Sequence, residues 1–228
     1  FSGSTDYSWE RSIYEYAWGD KNRGLEGLGH ILHLLEDAAV PDHTRNDPHP
    51  PQFDKSPYEN WASRFTISNL DLLSVVGLQR PIILSLVTDY FNSLANYSNN
   101  NFFSKDTIIS REYQKPLVVR WEKQTLGDGL SYTFGYSDSG IRLVAKKPSE
   151  WRSVIEDLLL INDPDDLILS NYWSLLSKQA VLNGAGVVKL FFDEVEKEKK
   201  SKVLLAYNKS PAERAIGAII RTFLSPAL

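Results

Sequence analysis

The chain of 228 residues carries 25 basic and 29 acidic side chains, and its formal net charge is -4. The hydrophobic fraction of 42% is ample for a packed core and excludes a disordered chain, while the charge excludes the basic footprint of a sequence-reading nucleic-acid binder. The absence of cysteine excludes disulfides, thiolate zinc sites and cysteine nucleophiles.

Apolar residues recur with helical spacing along most of the chain, which predicts a mainly helical protein. The first two helices are predicted over residues 7–17, ended by Gly19, and over 25–40, ended by Pro41. A proline-rich loop over 44–57 follows. Further helices are predicted over 58–64, 70–76 and 81–97, before a polar turn at 96–101.

Residues 116–147 have a different pattern. Three short runs rich in β-branched and aromatic residues, LVVRWEK, LSYTFGY and IRLVAKK, are separated by the turn sequences GDG and SDSG. They predict a small antiparallel meander inserted into the helical protein. We expect this insertion to be structural decoration that lies outside the helical core.

Helices are predicted to resume over 150–161 and over the long stretch 165–202, as one helix or two. The long stretch has Gly184, Ala185 and Gly186 at its centre, and glycine costs about 1 kcal/mol in a helix, so we expect another backbone to approach closely there. The sequence SPAE at 210–213 begins a predicted amphipathic helix over 211–224, which we expect to dock on the domain or on another subunit. The prediction is an all-α fold with a small inserted β meander, in one domain over residues 1–228.

All histidines of the chain lie within one short segment, as His30, His33, His43 and His49. His33 and Asp37 are four residues apart, which places them on one face of a helix, and Glu59 begins the next helix. Imidazole and carboxylate groups without thiolates suit zinc in a site that keeps open positions. Taken alone, His30 is predicted to be a core or surface residue, and the His33–Asp37 pair is open to a simple hydrogen bond.

The sequence HLLED at 33–37, followed by Pro41 and His43 and preceded by Leu28 and Gly29, resembles the core motif of the zinc-dependent phospholipase C and single-strand nuclease superfamily. PYENW at 57–61 is similar to that family's Tyr-Glu-Asn-aromatic step, and QAVLNGAGVVKLFFD at 179–193 is similar to its closing helix. The resemblance covers about residues 9–100 and 150–200. It implies a multi-helix domain around up to three zinc ions.

The resemblance also implies roles for individual residues. His33 would bind one zinc, Asp37 would bridge two, and His43 and Glu59 would bind the third, with His49 as a weaker fifth ligand. Asp37 and Glu59 would be the catalytic carboxylates. The implied activity is hydrolysis of a phosphate ester by zinc-activated water. Its substrate would be a phospholipid or another phosphodiester, met in transient contact with a membrane surface by a secreted bacterial protein.

Two departures from the family pattern keep alternatives open. Lys55 stands where the family has a histidine four residues before the glutamate, and His49 or Asp54 could substitute for it. The family's upstream zinc ligands have no histidine counterparts up to Gly29, so that part of the centre would lie before Phe1, be disordered or be lost. The sequence contains no methionine and does not begin with one, so we expect Phe1 to be an internal point of a longer chain. The alternatives are a degenerate member that serves as a binding or structural module, and a single-strand nuclease.

Overall fold

The computed structural model describes residues 6–48, 56–64, 76–77, 79–147 and 159–208. The helices are α1 (Trp9–Trp18), α2 (Lys21–Asp37), α3 (Pro41–Thr44), α4 (Pro57–Ala62), α5 (Val87–Asn101), α6 (Leu167–Ser201) and α7 (Val203–Tyr207). The strands are β1 (Arg120–Thr125), β2 (Ser131–Tyr136), β3 (Arg142–Lys146) and β4 (Leu159–Leu160). The protein is thus mainly helical with one small antiparallel sheet, as predicted.

The described residues form two compact units. The first comprises those up to His33 together with those from Val187 onward, and the second comprises those from Leu34 to Gly186. Apart from its last residue, the predicted helix over 70–76 lies outside the described residues, as does the predicted helix over 211–224. Within the described ranges, none of the helices combines the length and the apolarity that crossing a bilayer requires.

The four strands pair in the order β1-β2-β3-β4, with every neighbouring pair antiparallel. The two predicted turns connect the first three strands, and each contains a glycine with positive φ, Gly129 at 80° and Gly140 at 82°. The fourth strand was not predicted. Leu159 and Leu160 pair with Lys146 and Ala145, so the end of the helix predicted over 150–161 is wrong, because pairing to β3 outweighs a local apolar pattern that fits either element.

The sheet lies within the core of the second unit, and the prediction that it is peripheral is therefore wrong. Phe134 and Ala145 are fully buried and belong to the same apolar cluster as the helical residues Trp61, Phe102 and Leu176. Tyr172 of α6 joins the two parts, because its hydroxyl donates to the Leu143 carbonyl oxygen at 2.6 Å and accepts from the Phe103 N–H at 3.0 Å. The inner face of the sheet thus supplies core side chains that no helix replaces.

Helix α6 is a single helix of 35 residues, and the close backbone approach expected at its glycines is confirmed at Gly186. A Cβ atom at Gly186 would overlap the carbonyl oxygen of Ile82 and the ring of Tyr90. The Ile82 N–H also donates to the Leu182 carbonyl oxygen at 3.1 Å, which holds the segment around Ile82 against the helix. Glycine at position 186 is what allows this contact.

We expect Gly186→Ala to lower the free energy of unfolding by about 1–3 kcal/mol, because the added methyl group meets backbone that cannot move aside. Gly29→Ala is the matched control, since Gly29 also lies within a helix but a Cβ there meets no atom within 4 Å. It should be neutral or stabilise the protein by up to about 1 kcal/mol through helix propensity. Denaturant unfolding of both variants measures the difference. Equal changes in the free energy of unfolding for both variants would show that the contact with Ile82 does not determine the need for glycine at position 186.

Two predicted helix boundaries differ from the structure. Residues 81–84 belong to no helix or strand, and the Leu84 N–H donates to the Tyr90 hydroxyl at 2.8 Å, so α5 begins only at Val87. The predicted turn at 96–101 is helical, because the buried Ser98 hydroxyl donates to the Ala39 carbonyl oxygen at 3.0 Å and tertiary contact outweighs the weak helix propensity of asparagine and serine.

The carboxylate of Glu198 organises the start of α7 in the first unit. It accepts hydrogen bonds from the Trp18 indole N–H at 3.0 Å and from the Leu204 and Leu205 N–H groups, each at 3.1 Å. Burial favours the neutral acid, but these hydrogen bonds to the charged form outweigh it, so the pKa of Glu198 lies below its ordinary value of 4.5. The ionised group therefore stabilises the folded state.

We expect Glu198→Gln to lower the free energy of unfolding at neutral pH by about 1–3 kcal/mol, because the amide accepts these bonds poorly. Since the folded pKa is depressed, the stabilisation is present above pH 4.5 and is lost as the pH falls through the folded value. The difference between the variant and the wild type should therefore shrink in acid. Urea unfolding at a series of pH values measures it, and a difference that does not depend on pH would contradict the assignment.

Candidate metal centre

A short turn between α2 and α3 places His43 near the end of α2. Helix α2 ends at Asp37, and the Val40 N–H donates to the Asp37 carbonyl oxygen at 3.0 Å, which closes a turn. Pro41 then begins α3 as its first residue, where the missing N–H is not needed. The helix predicted over 25–40 thus ends three residues earlier than expected, and it begins four residues earlier, at Lys21. The turn brings His43 back towards the end of α2.

Glu59 is positioned by the cap of its own helix. The hydroxyl of Ser56 accepts a hydrogen bond from the Glu59 N–H at 3.2 Å and donates to the carboxylate of Asp42 at 2.8 Å. Asp42 and Ser56 are buried, and Asp42 directly precedes His43. This chain of hydrogen bonds joins the first turn of α4 to α3, so that Glu59 lies beside His43.

The result is an imidazole with a carboxylate near each nitrogen. Nδ1 of His43 lies 3.6 Å from Oδ1 of Asp37, and Nε2 lies 3.4 Å from Oε1 of Glu59. Zinc holds nitrogen and oxygen ligands at about 2.0–2.2 Å in a tetrahedron, so two ligand atoms on one ion are about 3.3–3.5 Å apart. The His43–Glu59 separation fits one edge of such a site. The side chains of Asp37, His43 and Glu59 are 36%, 30% and 41% exposed, so solvent reaches the group.

Asp37 lies at the nitrogen of His43 that faces away from Glu59. Metal-binding histidines usually direct their second ring nitrogen at a carboxylate or carbonyl group, which fixes the orientation of the ring. Asp37 is in place for this role, although 3.6 Å exceeds a hydrogen-bond length. The arrangement therefore fits zinc in donor chemistry and in the spacing of one donor pair.

The other predicted residues are distributed differently. His33 is exposed on α2, one helical turn before Asp37. His49, Asp54 and Lys55 lie outside the described residues. His30 is exposed on α2, and its ring stacks on the Tyr7 ring with 4.1 Å between the ring centroids. Among the residues that the structure describes, no group of three or more histidine, cysteine, aspartate and glutamate side chains is arranged to hold a metal ion.

Two supporting residues, Asp42 and Ser56, were not predicted from the sequence. A signal for Ser56 was present, because SPYE at 56–59 has the same cap pattern as SPAE at 210–213. Nothing in the sequence indicated Asp42, since its partner Ser56 follows it by 14 residues across the proline-rich loop.

A buried arginine holds the segment that follows His43. Arg45 is fully buried, and its Nη2 atom donates to the carbonyl oxygens of Asn99 at 2.6 Å and Gln114 at 3.1 Å. Burial lowers the pKa of the guanidinium, while Tyr172, Tyr113 and Asp42 oppose that shift, and an arginine remains charged in any case. Asp47 also holds this segment in place, because its carboxylate accepts a hydrogen bond from the Asp106 N–H at 2.9 Å. The position of His43 thus depends on buried polar contacts on both sides of it.

No protein-family model, no curated protein and no solved structure matches the chain.

Proposed function

We propose that the protein is a metal-dependent hydrolase of phosphate esters, most like a zinc-dependent phospholipase C. The observation that carries the proposal is the 3.4 Å separation of His43 Nε2 and Glu59 Oε1, two donors from different helices at the spacing of ligands on one ion. The sequence resemblance supports the same pair independently, because its motifs implied that His43 and Glu59 share a zinc. We also propose the multi-helix fold of that superfamily for the helical part of the chain.

The chain's own residues have distinct tasks in this proposal. His43 and Glu59 would hold one ion, Asp37 would bridge two others and orient the His43 ring, and His33 would bind one zinc. His49 is a weaker fifth ligand. Bound zinc neutralises phosphate oxygens and lowers the pKa of water to near neutrality. The partial exposure of the three carboxylate and imidazole groups leaves room for a phosphodiester to approach. The substrate is a phospholipid or another phosphodiester, met by a secreted protein at a membrane surface.

One observation favours the alternative of a binding or structural module. Lys55 occupies the position of a further ligand in the resembled motif, and a protonated lysine cannot bind zinc. A chain that lacks this ligand would hold fewer ions, and the His43–Glu59 pair would then serve structure. A single-strand nuclease remains the alternative within the enzyme class.

Removal and return of metal test the proposal. Chelation should abolish hydrolysis of a chromogenic phosphodiester, and added zinc should restore it, because the ions supply the positive charge that neutralises the phosphate. Elemental analysis of the active protein should find two or three zinc ions per chain. Magnesium, which prefers six oxygen ligands, is the control that should not restore activity. Phosphatidylcholine vesicles and single-stranded DNA then distinguish the two substrates. One zinc ion or none, without hydrolysis of any substrate, would favour the module.

A further inference from the structure

A cavity of about 680 Å³ lies in the second unit, between α4 and the sheet. We call it the α4 cavity and define it by the lining residues Trp61, Arg64, Lys105, Tyr132, Lys147 and Leu169. The meander and the strand that follows it supply one wall, and α4 with the turn after it supplies the other. Cavities of 300–1,000 Å³ commonly hold small ligands. The insertion therefore builds part of a cavity, beyond its contribution to the core.

Helix α4 separates this cavity from the candidate metal centre. Pro57, Asn60 and Trp61 line the cavity and recur at intervals of three and four residues, so they share one helix face. Glu59 projects from the opposite face, where it meets His43. The α4 cavity is consequently a second site and not an extension of the first.

The cavity has an apolar floor and a cationic rim. Trp61, Tyr132 and Leu169 are 8%, 3% and 2% exposed, so they form its buried base. The rim cations Arg64, Lys105 and Lys147 are exposed residues. The Lys105 ammonium lies 3.8 Å from the carboxylate of Asp106, and an exposed ion pair of this kind is weak.

The two carboxylates in the lining do not cancel this charge. The carboxylate of Asp163 is buried and accepts hydrogen bonds from the N–H groups of Asp165, Leu167 and Ile168 at 2.9–3.2 Å. These donors and the amino end of α6 compensate its charge. Among the lining residues that the structure describes, Asp166 is the remaining carboxylate, against three cations.

We propose that the α4 cavity binds a phosphate monoester that carries an apolar group. The planar guanidinium of Arg64 and the ammonium groups of Lys105 and Lys147 suit the phosphate, and the buried base suits the apolar group. The same chemistry occurs in a soluble organic phosphate and in the headgroup of phosphatidic acid. This site needs no metal, so the proposal stands apart from the proposed hydrolase activity.

The test is isothermal titration calorimetry of the whole chain in the presence of a chelator, with phenyl phosphate as the probe. The chelator removes any binding through metal. We expect phenyl phosphate to bind more tightly than inorganic phosphate, and the double variant Arg64→Gln/Lys147→Gln to weaken it at least about tenfold. Arg64→Lys, which keeps the charge but loses the planar fork, should give an intermediate loss.

The matched control is Arg80→Gln/Lys123→Gln, which removes the same charge from exposed residues that do not line the cavity. Thermal unfolding checks that each variant is folded. If only vesicles containing phosphatidic acid bind, and the Arg64/Lys147 variant weakens that binding, the phosphate is carried by a lipid. No binding of either probe, equal loss in the control pair, or equal affinity for inorganic phosphate would overturn the proposal.

Discussion

Replacing His43 with alanine should abolish both zinc binding at the Glu59 pair and hydrolysis of phosphodiesters. The imidazole is the residue that faces both carboxylates, at 3.6 Å and 3.4 Å, so its loss leaves no nitrogen donor between them. Several kcal/mol of stabilisation of the charged transition state would be lost, which corresponds to a decrease in rate of about a thousandfold or more. Alanine at His33 or Asp37 should have the same consequence, and Glu59→Gln should weaken zinc binding while preserving shape. Zinc content and initial rates measure these effects.

His30→Ala is the matched control for this series. His30 also lies on α2 and is exposed, but its ring stacks on Tyr7. Its loss should change neither zinc content nor rate. Survival of activity in the His33, Asp37 or His43 variant would place the reactive centre elsewhere in the chain.

Deleting residues 116–147 should abolish the cooperative unfolding of the second unit. The deletion removes fully buried side chains such as Phe134 and Ala145 and takes away the Leu143 carbonyl oxygen that accepts from Tyr172. Trp61, Phe102 and Leu176, which share the apolar cluster with them, would become exposed to water. Near-ultraviolet circular dichroism and urea unfolding should therefore report a loosely packed state without a sharp transition. A cooperative transition like that of the intact chain would show that the helices form a core of their own.

A point substitution tests the same contact with less disruption. Phe134→Ala should lower the free energy of unfolding by about 3–5 kcal/mol, because it opens a cavity at a fully buried position. Val119→Ala is the control, since Val119 lies just before β1 and is 49% exposed. It should change stability by about 0.5 kcal/mol or less. Similar losses in both variants would contradict the packing described here.

Local patterns were sufficient for the elements whose signals are strong. Gly19 follows the end of α1 closely, as predicted, and the two glycine turns connect the strands of the sheet. The apolar repeat over 165–202 indicated helix, and the structure decides between one helix and two in favour of one. The close approach of another backbone at Gly186 was also predictable. A glycine in the middle of a long helix lowers its stability, so its presence there suggested that a larger side chain would not fit.

Tertiary contacts decide the features that local patterns missed. Residues 96–101 read as a turn, but Ser98 bonds to Ala39 and the segment remains helical. Leu159 and Leu160 fit a helix by their sequence and form a strand because β3 offers a free edge. The β-branched and aromatic residues of β2 predicted a strand, yet nothing in them indicated that α6 and the chain around Phe102 cover it.

The candidate site was predictable in part and for a different reason. The spacing of Asp37, His43 and Glu59 resembles a motif, and the structure brings these three side chains together. The supports of the site were not predictable, because Asp42 and Arg45 act through partners that are distant in sequence. The cavity on the other face of α4 was not predictable either, since its lining residues come from several parts of the chain that are distant in sequence.

The burial of Arg45 also has a consequence for the motions of the protein. Its guanidinium is removed from water, and its two carbonyl partners come from the end of α5 and from the loop before β1. If α3 opened alone, it would leave those carbonyl oxygens without their donor, which makes such an opening costly. The three segments therefore open together or remain closed, and α3 has no separate low-energy fluctuation. His43 lies two residues before Arg45 in the same short segment, so the contacts of Arg45 also restrain the backbone that carries His43.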